Sequence, residues 1–387
     1  MNQKEISELR RRFRADRAAV SRIYGCYVNG NREIISYVDE SLGNMPQEEA
    51  EQYLNLLKKS MSGALGKNLI DVVFSTEQVM DSDEHRLLSA LRESELKDGE
   101  VREEFYRKII GALDMDGGNY LILLAHDSYD VPRRGRDGAA QDSETVFSYI
   151  LCSICPVKDG KLELGYFPGD NGFHNCTAGQ VVSPPEAGFL FPAFDDRAAN
   201  IYNALYYARK PDTPHFELLD ALFRTEPPMT SAEQKEAFQS ALTEALEGAC
   251  SLDVAQAVHD QLHAKIQTYQ ESKDPESLEI TGKELGDVLR DCGVPEERAA
   301  AFQEKCAERF GGAAVMNPLV LTDAKKFEIK TGDVTISMDP ACSYAVTARV
   351  IDGRKYLLIP AGEGVEVNGL PVEIREEEAA DSPPTEE

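Results

Sequence analysis

The stretch "LAHDSYDVPRRGRDG", residues 124–138, offers the chain's best set of reactive side chains. His126 can exchange protons near neutral pH, Asp127 can orient it, and Tyr129 and Asp130 stand close enough in sequence to share the work. Arg133, Arg134 and Arg136 can clamp a phosphate or a carboxylate. The run leaves an apolar segment and is punctuated by Gly and Pro, so it reads as a loop at a strand end, where α/β architectures commonly carry sites. A solvated loop with self-neutralising charges is the plain alternative.

Other candidates have simpler explanations. In "VVSPPEAGFLFPAFDDRAANIYNALYYARK", residues 181–210, prolines fix φ and resist pairing, so "SPPEAGFLFP" is expected to run extended and irregular with its phenylalanines on the core. Asp195 and Asp196 then cap a helix whose buried face continues through Ile201, Tyr202 and Leu205. Capping leaves Arg197 unexplained; it can pair with either Asp and is kept as a ligand-binding candidate. "SGALGKN", residues 62–68, lacks the spacing and the Ser or Thr of a phosphate-binding loop, and it follows a helix and precedes a strand, the reverse of that motif. Cys152 and Cys155 have dithiol spacing, yet positions i and i+3 of a strand face opposite sides. His259 and His263 stand one helical turn apart, a metal-ligand spacing, but border the stripe Val254, Val258, Leu262 and have no evident third ligand. No cofactor is implied.

The bulk numbers narrow the function class. A chain of 387 residues calls for two or three folding units. No apolar run approaches the roughly 18 residues that span a membrane, the N-terminal residues are polar where a signal peptide is apolar, and eight dispersed cysteines do not form a secreted framework. A cytoplasmic location with reduced thiols is expected. The formal charge of -27 argues against a broad nucleic-acid footprint, leaving only Arg10, Arg11, Arg12 and Arg14 as a local positive patch. A protein partner is the expectation instead.

The elements that must position these residues follow from periodicity and caps. Ile6, Leu9, Phe13 and Val20 predict an amphipathic N-terminal helix, and Asn29-Gly30 predicts a hairpin turn. Pro46 opens a helix to about residue 60, "NLIDVVF" reads as a buried strand, and Ser75-x-x-Gln78 has capping-box form. A helix near 99–113 leads to the apolar strands "NYLILLAH" and "TVFSYILCSICPV". From about residue 198 the pattern turns helical, with Thr230-x-x-Glu233 or Ser231-x-x-Gln234 capping one helix and Thr281-x-x-Glu284, Gly293 and Pro295 framing an αα-hairpin to residue 310. Short strands with Asp-Gly and Asn-Gly turns follow. The fold class is α+β: a mixed α/β core over 1–225, a helical region over 226–312, a small β module over 313–374, and a solvated acidic tail over 375–387. "YQESKDPESLE" is the linker candidate.

The segments "GCYVN", "GALGKNLIDVVFSTEQVM", "YLILLAHDSYDVP", "FSYILCSICPVK", "VVSPPEAGFLFPAFDDRAANIYNALYY" and "VIDGRKYLLIP" resemble a bacterial family, typical of Clostridia, known as domain of unknown function 4317. The resemblance runs to about residue 370. It implies a soluble bacterial protein that travels as one unit, and it supplies no reaction, ligand or catalytic residue. The leading expectation is therefore a non-catalytic regulatory or protein-interaction role. Next stands an enzyme acting on an anionic or phosphorylated small molecule at residues 126–136, and then nucleic-acid association through the four arginines.

Overall fold

The computed structural model describes residues 1–14, 19–131, 133–134, 140–141, 146–177, 179–225, 229–247, 250–272, 278–362 and 364–373. Its centre is an eight-stranded sheet of β1 (Arg22–Val28), β2 (Ile34–Ser41), β3 (Leu69–Val73), β4 (Asn119–Asp130), β5 (Val146–Asp159), β6 (Gln180–Val182), β7 (Ala187–Phe191) and β8 (Asn203–Ala208). The order is β2-β1-β4-β5-β7-β8-β3, with β6 added against β5, and every pairing is antiparallel.

Alternation in the long strands decides the layers. Ile122, Leu124, Ile150, Cys152 and Ile154 face α3 (Asp83–Glu93), α4 (Gly99–Ala112) and α5 (Phe216–Phe223), meeting Leu88, Phe105, Ile109, Leu218 and Phe223. Leu121, Leu123, Phe147, Leu151 and Cys155 face the other way, onto Ile6 and Leu9 of α1 (Gln3–Arg12) and Leu54 and Leu57 of α2 (Gln47–Lys59). The antiparallel sheet is thus covered on both faces, which explains strands too apolar for one solvated side. Cys152 and Cys155 fall in different layers, as their spacing requires. Over Gly188, Ser60 approaches so closely that an added Cβ would lie 2.5 Å from the Cys152 carbonyl oxygen, and the Ser60 and Ser153 hydroxyls bond at 2.6 Å beside it.

Several boundaries differ from the sequence reading. The first helix stops at Arg12, so Val20 is buried from the chain beyond it. β3 lies at a sheet edge, with Asp71 and Val73 exposed. "AGFLF" is a regular, fully buried interior strand, because the prolines at 184, 185 and 192 flank it and each constrains only its own φ and N–H. Asp195 and Asp196 begin no helix. Ala193–Asp195 pairs with Ala198–Asn200, and the turn residues Asp196 and Arg197 take left-handed φ values of 48° and 59°. Strand continues to Ala208, and helix returns at Phe216 rather than near 198.

The helical region packs α6 (Ser231–Ala245), α7 (Leu252–Ser272), α8 (Gly282–Asp291) and α9 (Glu296–Phe310) around Phe238, Val258, Leu262, Leu285, Leu289 and Phe302. Of the two possible boxes, Thr230 with Glu233 caps α6. Thr281 with Glu284 caps α8, and Gly293 and Pro295 separate α8 from α9 as expected. Thr281→Ala is expected to cost about 1 kcal/mol in urea denaturation, since it strips one orphan N–H of its acceptor. The linker candidate begins inside α7, and residues 273–277 lie outside the described residues.

Glu244 joins α6 to α9: Lys305, Arg309 and Ser240 donate to its carboxylate and hold its pKa down to about 2, below the ordinary 4.5. A depressed folded value stabilises fully above about pH 4.5 and loses that contribution as pH falls toward about 2. Glu244→Gln is expected to flatten the stability curve in that window, measured by denaturation at stepped pH.

After the short helix Pro318–Leu321 come the ribbons Phe327–Lys330 with Thr335–Met338, Thr347–Ile351 with Arg354–Leu358, and Glu366–Val367 with Leu370–Pro371. Each pairs only within itself among the described residues, so the β module is built from two-stranded ribbons.

Candidate functional site

His126, Asp127, Tyr129 and Asp130 lie within β4, which runs on to residue 130, and not in a loop. The ladder with β5 extends through Asp130↔Val146 because both segments keep strand-forming side chains. Strand alternation then separates the nominated acid–base pair. His126 faces the α3–α5 side, where its Nε2 lies 2.9 Å from Ser148 Oγ. Burial lowers its pKa from 6.5, against the opposing pull of Glu95 and Asp127. Asp127 faces the opposite layer and cannot orient the His126 ring.

Asp127 is 2 % exposed and sits under α1. Arg12 reaches it with a fork, Nε to Oδ2 at 2.5 Å and Nη2 to Oδ1 at 2.8 Å, and Nη2 also donates to the Ser128 carbonyl at 3.1 Å. The Tyr149 hydroxyl donates to Oδ2 at 2.7 Å. Burial and the adjacent Asp127 charge push that hydroxyl's pKa well above 10, so it stays a donor. Arg12 also lies 4.4 Å from the centre of the Tyr129 ring. Desolvation weakens its charge, but bonding to Asp127 outweighs this and raises its pKa.

The polar row continues along the helix. Tyr129 donates to Glu8, and burial, then Glu8, raise its pKa to about 12. Arg197 pairs with Glu8 at 3.0 Å rather than with Asp195 or Asp196, because the left-handed turn aims it at α1. Its backbone N–H donates to Glu5, which also closes the capping box with Asn2. Glu5, Glu8 and Arg12 stand at i, i+3 and i+7, on a face beside Ile6, Leu9 and Phe13. That spacing is the signal in the sequence that the charged helix face is docked; the reading of Arg12 as a surface cation missed it.

The remaining candidates do not join this row. Arg133 and Arg134 form a two-residue ladder with Ala140–Gln141, and Arg136 lies outside the described residues. His259 is buried; its Nδ1 lies 3.1 Å from Thr322 Oγ1, and its ring stacks with that of His263 at 6.2 Å. Asp260 accepts from Ser343 at 2.6 Å. Among the described residues no group of three His, Cys, Asp or Glu is placed to hold a metal ion. No helix of the described residues is long and apolar enough to cross a membrane.

One comparison matches a sequence family described as domain of unknown function, DUF4317, and the match spans residues 1–370. The chain belongs to DUF4317. The match embraces the sheet, both helical layers, the α6–α9 bundle and the ribbons to Leu370, so the whole described architecture is that of a family member. Curated proteins yield no match. In this family member the polar residues that invite chemistry are drawn into packing an N-terminal helix, and what they can do is hold that helix in register on β4 and β5.

Proposed function

We propose that the chain is a non-catalytic regulatory or protein-interaction protein. The observation that carries this reading is the opposed placement of His126 and Asp127 on β4, with both Asp127 oxygens bonded by Arg12 and Tyr149. General acid–base catalysis needs an oriented pair that reaches a common substrate atom. Here the carboxylate is spent on an arginine and a tyrosine. Apolar surface supports the reading from the other side. In the ribbon Leu162–Phe167 with Gly172–Thr177, Leu162, Leu164, Tyr166 and Phe173 share one face and are at least half exposed. Recognition of another protein uses such surface; turnover of an anionic metabolite does not.

A photo-cross-linking residue at Phe173, with a second at exposed Glu33 as control, tests this in cells of the source organism. A discrete adduct of fixed stoichiometry at Phe173 alone is the expected result. No Phe173 adduct above the control, together with a measured turnover that His126→Ala abolishes in folded protein, would replace the proposal with the enzyme reading.

A further inference from the structure

The two longer ribbons of the β module leave between them a groove of about 630 Å³ or slightly less, 610 Å³ by its probe-filled volume, lined by Val334, Ile336, Val350, Tyr356, Arg349 and Lys355 among others. Isolated two-stranded ribbons are marginal in water, so apolar surface held open between two of them calls for an occupant. Val334 and Val350 are 55 % and 68 % exposed. The cations are equally unusual. The protein carries 68 acidic against 41 basic side chains, yet among the described residues no ion pair engages Arg349 or Lys355. An apolar floor with two available cations fits an acidic segment that carries an aliphatic residue.

The chain supplies one. Residues 374–387 follow the last described ribbon and hold Ile374, six acids (Glu376, Glu377, Glu378, Asp381, Glu386, Glu387) and one base, Arg375. Fourteen residues reach about 45 Å when extended. We propose that this C-terminal segment occupies the groove, setting Ile374 against the valines and its glutamates on Arg349 and Lys355. Exposed ion pairs contribute only about 0.2–1 kcal/mol each, so the free segment binds weakly. Tethering raises its effective concentration to roughly millimolar, which is enough for a weak site to be filled within the chain. The inference rests on the interaction reading for its use: a partner's acidic segment enters by displacing the resident one.

Since the chain has no tryptophan, Tyr356→Trp gives a single fluorescent reporter in the groove. In the full chain at low salt its emission should lie at shorter wavelength than in a chain ending at Glu373. The difference should vanish above about 0.5 M salt, where screening is within a few ångströms. Adding the 374–387 peptide to the shortened chain should restore the shift, and a Glu376→Gln, Glu377→Gln, Glu378→Gln peptide should not. Identical emission from the two chains, with unchanged circular dichroism, would overturn the proposal. So would restoration by the neutralised peptide. Because the readout uses the isolated chain, such failure leaves the partner reading intact, whereas loss of the Phe173 adduct bears on that reading alone.

Discussion

Arg12→Ala should destabilise the protein by about 3–5 kcal/mol, read as a fall in the urea midpoint. The size follows from what is left behind. Asp127 is 2 % exposed, and its two oxygens receive the Arg12 fork and the Tyr149 hydroxyl. Without the guanidinium a buried carboxylate keeps one neutral donor, and uncompensated buried charge is among the costliest defects in a fold. Arg12→Lys should recover only part of the loss, because a point ammonium cannot reproduce two parallel bonds or the stack on Tyr129. Arg22 provides the contrast. It pairs with Asp39, but both side chains are about half exposed, so Arg22→Ala should change stability by roughly 0–1 kcal/mol.

Phe189→Ala should cost about 3–5 kcal/mol, a loss as large from a different source. Phe189 sits in β7 with no solvent exposure, its ring edge-on to Phe105 of α4 at 5.9 Å and to Phe223 of α5 at 5.4 Å. Truncation removes the contact that joins two helices to the sheet and leaves a cavity between rigid layers. Had "AGFLF" been a peripheral irregular run, the neighbours would have collapsed into the space cheaply. Phe173, the same residue type on the exposed ribbon, is 65 % accessible, and Phe173→Ala should leave the urea midpoint within about 0.5 kcal/mol of the parent.

What the sequence discloses is what short-range physics writes. Ser75, Thr230 and Thr281 find their acceptors and donors within three residues, so the helices they start are readable from four letters. β4 and β5 are readable because an apolar run of that length has few other uses. The segment from 187 to 208 was misread for two reasons. Prolines were allowed to influence neighbours they do not constrain, and the turn at Asp196-Arg197 takes left-handed φ without the Asn-Gly or Gly that usually marks one. The Arg12–Asp127 pair spans 115 residues, and no local pattern encodes which arginine of four will meet which aspartate. Strand parity could have separated His126 from Asp127 in advance, but only had the segment been read as strand and not as loop.

The central claim is that the side chains which seem to offer chemistry around β4 are spent on seating α1. A double-mutant cycle on Arg12→Ala and Asp127→Ala measures it most directly. The account predicts a coupling energy of about 2 kcal/mol or more, with the double variant more stable than the Arg12 single variant. A coupling near zero, with both single variants as stable as the parent, would mean that Asp127 is not tied to the helix, and its carboxylate would return as a candidate for catalysis.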